Sequence, residues 1–86
     1  MSRQSSILTV GHMDYSKKLA RAIGKRVAQR RLKVGLTQSQ LAGKLRISDA
    51  HVSYIERGER GPSLVMLHKM AKVLGTTVGH LVPMKL

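Results

Sequence analysis

Between Arg46 and Gly58 the chain reads RISDAHVSYIERG, and its polar side chains are types that make directed hydrogen bonds. On a helical wheel, Asp49, Ala50, Ser53, Tyr54 and Arg57 share one side, while Val52, Ile55 and Glu56 fall on the other. A face meant only for water would carry mostly Lys and Glu. This one offers what base edges require. Asp accepts from a cytosine or adenine amino group, Ala meets a thymine methyl, Ser bonds either kind of base and Arg forks onto guanine. His51 lies at the margin of the two faces and reads as a partly exposed residue beside the core.

Other chemistries find no support in residue type or spacing. The four histidines (His12, His51, His68, His80) lack metal-ligand spacing, and with no Cys a zinc site is not expected. The four acids form no evident catalytic pair, and no GxxxxGK[ST] phosphate loop occurs. The expectation is a protein with no catalytic residue, metal or cofactor.

Charge names the partner class. Sixteen Lys and Arg stand against four Asp and Glu, a net charge of +12. Self-repulsion of that size disfavours a compact chain unless an anion offsets it, and a basic domain is the electrostatic footprint of a nucleic-acid binder. A generally basic, well-hydrated surface, as on ribosome-associated or chromatin-like proteins, is the blander alternative. Between Tyr15 and Val34 there are eight cations (Lys17, Lys18, Arg21, Lys25, Arg26, Arg30, Arg31, Lys33) and no acid. A membrane-surface helix usually pairs such a face with Trp, Phe or many Leu, and this chain has no Trp and no Phe, so that reading falls behind. No apolar run is long enough to span a bilayer and no signal peptide is apparent, so a soluble, cytoplasmic, nucleoid-associated protein is expected.

Eighty-six residues make one domain. Residues 1–14, with Ile7, Leu8 and Val10, read as a flexible arm, 15–83 as the folded domain and 84–86 as a tail. Five helices are predicted. The first runs from Tyr15 to Val34, with Leu19, Ile23 and Val27 as its apolar stripe and Gly35 ending it. Thr37-Gln38-Ser39-Gln40 is a capping box that opens the second, Gln38 to Leu45. Ser48 caps the third, Asp49 to Arg57, which Gly58 ends. Ser63 caps the fourth, Leu64 to Leu74, with Leu64, Leu67, Met70, Ala71 and Leu74 inward, and Thr77 caps the fifth, Val78 to Val82. No useful period-two alternation occurs, so the fold class is all-α. Helices two and three are too short to stand alone and are joined by a tight turn, the form of a helix-turn-helix whose second helix enters the DNA major groove.

The segments GLTQSQLAGKLRIS, HVSYIERGERGPSL and LHKMAKVLGTT resemble the phage repressor/Cro, or Xre-like, class of DNA-binding regulators, a class that includes restriction-modification controller proteins. The likeness covers roughly residues 19–82. It implies a compact five-helix, lambda-repressor-like domain binding a palindromic operator as a homodimer. It also implies roles: Gln38 bonds a phosphate and buttresses the recognition helix, and Ser48, Asp49, Ala50 and Tyr54 face phosphate or bases. Arg60 lies near the DNA backbone, and Arg31 pairs with Glu56 as a structural bridge. With Ser53 added from the wheel, the expected base contacts are Asp49, Ala50, Ser53 and Tyr54. The expected phosphate contacts are Gln38, Lys44, Arg46, Ser48, Arg57 and Arg60.

Two residues depart from the class. Arg46 stands where a glycine is common, at a turn position that calls for a left-handed backbone. Asp49 puts a negative charge at the groove entrance, either to read a base amino group or to complement the helix dipole. Both readings of Asp49 stay open. A homodimer would use helix five and the tail, through Val78, Leu81, Val82 and Met84; ordinary C-terminal packing is the alternative. Helix two carries no acid to present to RNA polymerase, which favours repression over activation. A rival use is an antitoxin that sequesters a toxin through its N-terminal arm and also binds its own promoter, so a toxin or RNA polymerase stands as an alternative protein partner. RNA binding lacks the stacking aromatics single strands require, since only Tyr15 and Tyr54 are present.

Overall fold

The computed structural model describes residues 16–83. The proposed arm at 1–14, Tyr15, and the tail with Met84 lie outside the described residues. Five helices follow in order: α1 (Lys17–Lys33), α2 (Gln38–Leu45), α3 (Asp49–Glu56), α4 (Leu64–Val73) and α5 (Val78–Leu81), and no strand occurs among the described residues. The all-α, helix-turn-helix reading therefore holds, with α2 and α3 as the pair. The first helix begins two residues later than expected. Ser16 is its N-cap, its hydroxyl accepting from the Leu19 N–H at 3.0 Å.

Each start is closed by the side chain that the sequence offers. Thr37 and Gln40 form the complete capping box, with bonds of 3.0 and 2.9 Å. The Ser48 hydroxyl accepts from His51 N–H at 3.0 Å, and Ser63 and Thr77 act likewise at α4 and α5. The ends are more telling. After α1, α2, α3 and α4 the chain closes with the same pair of backbone bonds, one spanning five residues and one spanning three. Gly35, Gly58 and Gly75 supply the left-handed residue for three of these closures, and Arg46 supplies it for α2 at φ 59°, ψ 44°.

The core is built from Ile23 and Val27 of α1, Leu41, Ala42 and Leu45 of α2, Val52 and Ile55 of α3, Leu67, Met70 and Ala71 of α4, with Leu74 and Leu81. Leu19 joins only from its edge. Two expectations are corrected. Leu64 does not face inward: it sits at the start of α4 and is 57% exposed beside Val65 at 65%. Leu81 is not free surface for a dimer: at 1% exposed it closes the core, because α5 is only one turn long and that turn must seal the bundle. Val78 and Val82 also lean on the core and are half-buried.

α1 packs against α3 and α5, and α2 packs against α3 and α4. The α1–α3 approach is close because Gly24 permits it. A Cβ there would stand 2.2 Å from the Ile55 carbonyl oxygen and 2.6 Å from that of Glu56. A glycine inside a helix costs about 1 kcal/mol relative to alanine, so its presence in mid-α1 has a packing reason.

Candidate nucleic-acid interface

Val52 and Ile55 bury completely and fix the rotation of α3. Its outer side then presents Ser48, Asp49 and Ala50, all exposed, with Ser53 and Tyr54 half-buried behind them. His51 is half-buried at the margin, as the wheel implies. The turn from α2 is tight: Arg46 takes the left-handed conformation directly, and Ile47 packs against the core.

The base of α3 is held by a charge network. Arg31 Nε lies 2.6 Å from Glu56 Oε2, and Nη2 donates to Oε1 at 3.0 Å, a two-point contact between side chains only 11% and 6% exposed. Arg31 Nη1 donates to the Leu36 carbonyl at 2.8 Å, and Gln38 Nε2 donates to Glu56 Oε1 at 2.9 Å. One carboxylate thus joins α1, the start of α2 and the end of α3. Every strong donor around it is matched, which is the condition under which a buried ion pair is tolerable. Gln38 is therefore anchored by one amide hydrogen while its side chain remains half-buried at the helix start.

A second network lies at the outer end of α3. Arg57 Nε donates to Glu59 Oε2 at 2.8 Å, and Arg57 Nη1 also donates to the Ser53 hydroxyl. The Tyr54 ring lies against two guanidiniums, with Arg57 5.4 Å and Arg60 5.2 Å from its centroid. The hydrogen bond from Arg57 holds the Glu59 carboxyl below its usual value, and in return Glu59 raises Arg57 further. Arg57, expected at phosphate, is thus clasped by a neighbouring carboxylate. Glu59 lies only two residues beyond Arg57, a spacing that makes the contact legible in the sequence.

Arg21 lies next to this end of α3. A Cβ on Gly58 would fall 2.6 Å from Arg21 Cα, so the N-terminal half of α1 abuts the loop that carries Arg60. Lys44 and Arg46 gather elsewhere: with Lys69 and Lys72 of α4 they line a separate basic hollow of about 370 Å³. The eight-cation stretch also divides. Arg31 enters the network at Glu56, while Arg26 and Arg30 donate to backbone carbonyls near α5.

The three acids among the described residues all belong to this face or its base: Asp49 at the entry of α3, Glu56 at its foot and Glu59 just beyond. In a chain of charge +12 that placement makes the outer side of α3 less positive than the rest of the surface.

A two-helix reading unit, clamped by a buried ion pair and faced with base-competent side chains, defines a DNA-binding helix-turn-helix domain. Residues 27–81 match the helix-turn-helix family, and the chain belongs to that family, of the Xre-like type. It is a family of DNA-binding transcriptional regulators. An HTH-type transcriptional regulator of Sinorhizobium fredii is 31% identical over 59 residues, which cover 69% of this chain and 77% of that one. The restriction-modification controller protein C.AhdI from Aeromonas hydrophila superposes with a TM-score of 0.69 at 32% identity, covering 72% of this chain and 94% of its own. The hydroxypropylphosphonic acid epoxidase of S. wedmorenis gives 0.75 at 32% identity, but the match covers 79% of this chain and only 36% of the enzyme. The likeness to that enzyme is confined to its helix-turn-helix part. No helix among the described residues is long and apolar enough to cross a membrane.

Proposed function

We propose that the protein is a sequence-specific transcriptional regulator that binds a palindromic operator as a homodimer and acts by repression. The observation that carries this reading is the fixed rotation of α3, which buries Val52 and Ile55 and leaves Asp49 and Ala50 exposed at the end that would enter the major groove. Asp49, Ala50, Ser53 and Tyr54 are assigned to base edges. Phosphates fall to Gln38, to the hydroxyl proton of Ser48, and to Arg60 and Arg21, with Lys44 and Arg46 at the outer margin.

Two copies would read half-sites about 34 Å apart. Exposed Leu64 and Val65, with half-buried Val78 and Val82, offer apolar surface for the second copy. α2 carries no acid to present to RNA polymerase, which favours repression over activation.

Selection of bound fragments from random duplexes, repeated over a salt series, tests the reading. The expected result is a palindromic consensus with a steep salt slope. Replacing Tyr54 or Ala50 should change the preferred base, whereas Gln38→Ala should weaken all sites about equally. Binding without sequence preference would overturn operator recognition.

A further inference from the structure

α1 has a second basic flank. Arg26, Arg30 and Lys33 follow at i, i+4 and i+7 on the side turned away from Gly24 and Arg31, hence away from the recognition helix. They form one wall of an open groove of about 660 Å³, whose other wall includes Thr76, Thr77 and His80. That volume lies in the range of small-molecule sites, about 300–1,000 Å³.

The two guanidiniums are held in place across the groove. Arg26 Nη1 donates to the His80 carbonyl at 3.0 Å. Arg30 Nε donates to the Leu74 carbonyl at 3.0 Å and Nη2 to that of Gly75 at 2.9 Å. An arginine has five N–H donors, so Arg26 and Arg30 each keep several for another acceptor. The Lys33 ammonium has no protein partner among the described residues. Thr76 and Thr77 set their hydroxyls 3.2 and 3.0 Å from His80 Nδ1, on the same wall of the groove.

Among the described residues no acid lines this groove, and their three acids all lie at the recognition helix or just beyond it. The site is therefore rich in donors, pre-positioned and without a counter-charge. Planar guanidiniums fixed by the backbone suit phosphate oxygens, and the fixing removes part of the ordering cost of binding. From Arg26 to Lys33 the helix rises about 10 Å, more than one phosphate group can cover. We propose that this groove binds a small molecule carrying two or more phosphate groups, at a site separate from the DNA-reading face.

The probe is inorganic pyrophosphate, titrated into the full chain at constant ionic strength while backbone amide shifts are followed by NMR. Saturable shifts centred on Lys33, Thr76, Thr77 and His80 are expected. Lys33→Gln should weaken binding about tenfold, the loss of one charge-assisted contact, and Lys72→Gln, in the other basic hollow, should leave it unchanged. Equal shifts over all basic faces, or unaltered binding by the Lys33 variant, would overturn the proposal. So would displacement of pyrophosphate by a non-operator duplex that shifts the same groove amides, because the anion would then be nucleic-acid phosphate. The outcome does not depend on whether α3 reads an operator.

Discussion

Arg31 and Glu56 grip each other at two points, 2.6 and 3.0 Å, and so tie the first helix to the foot of the recognition helix. The same carboxylate accepts from Gln38, so one buried charge sets the positions of three elements. Removing it strands a guanidinium whose side chain is only 11% exposed, leaving it the Leu36 carbonyl alone.

Glu56→Ala should therefore lower stability by about 3 kcal/mol, the lower end for breaking a buried pair. For a domain of this size that is a fall of roughly 12–24 °C in the thermal midpoint followed by circular dichroism. An unchanged midpoint would show that the pair contributes nothing. The joint replacement Arg31→Met with Glu56→Leu should recover most of the stability, since it removes both charges together. It should still bind DNA less well, because Gln38 loses its anchor.

Gly24→Ala should destabilise by at least about 2 kcal/mol through overpacking, even though alanine favours an isolated helix by about 1 kcal/mol. The contact is with backbone oxygens of Ile55 and Glu56, which cannot rotate aside. Chemical denaturation measures the loss, while a peptide of residues 16–34 should gain helicity from the same change. A more stable Gly24→Ala protein would mean that the α1–α3 approach is looser than described.

Arg46→Gly should stabilise. A left-handed residue with a Cβ costs about 1–2 kcal/mol, and the added freedom of glycine in the unfolded chain returns about 0.5–1 kcal/mol of that. The net gain of about 0.5–1 kcal/mol would raise the midpoint by about 2–8 °C. The salt slope of DNA binding is the second measurement. If Arg46 contacts a phosphate, the slope should fall by about 1; an unaltered slope would remove Arg46 from the interface.

Glu59→Gln should release Arg57 and delete a negative charge beside the reading face. Affinity for random duplex should rise and its salt slope steepen by about 0.9, so the ratio of specific to nonspecific binding falls. Fluorescence anisotropy over a salt series checks this. Because Arg57 holds the Glu59 carboxyl below its usual value, the clasp is complete above the ordinary carboxylate range and opens only as pH falls through that lowered value. Nonspecific affinity should thus show no change from this group between about pH 6 and 8. Weaker random-DNA binding by the variant would assign Glu59 a positive role instead.

Much of this fold is legible in local chemistry. Thr37, Ser48, Ser63 and Thr77 each mark a helix start because a hydroxyl satisfies a backbone N–H three residues on, a relation contained within one short segment. The glycines after α1, α3 and α4 mark ends for an equally local reason. The core stripe of α3 follows from its period, and with it the outward side of Asp49 and Ala50. Leu64 was misplaced because it has the right spacing for the stripe of α4 but lies one turn beyond what the other helices cover. Leu81 was misplaced because nothing local reveals that a single turn must close the bundle.

The sequence by itself determined the helices, their caps, the excess of positive charge and the face of α3 that could meet a base, since each depends on residues within a few positions of one another. Only the tertiary structure decided which cations are free and which are committed. Arg26, Arg30 and Arg31 look alike along α1, yet they meet carbonyls or a carboxylate 5 to 54 residues away, while Lys33 meets none among the described residues. It likewise decided why Gly24 is a glycine. A long charged side chain is assigned its role by what lies at its tip, and that is set by packing between segments far apart in the chain.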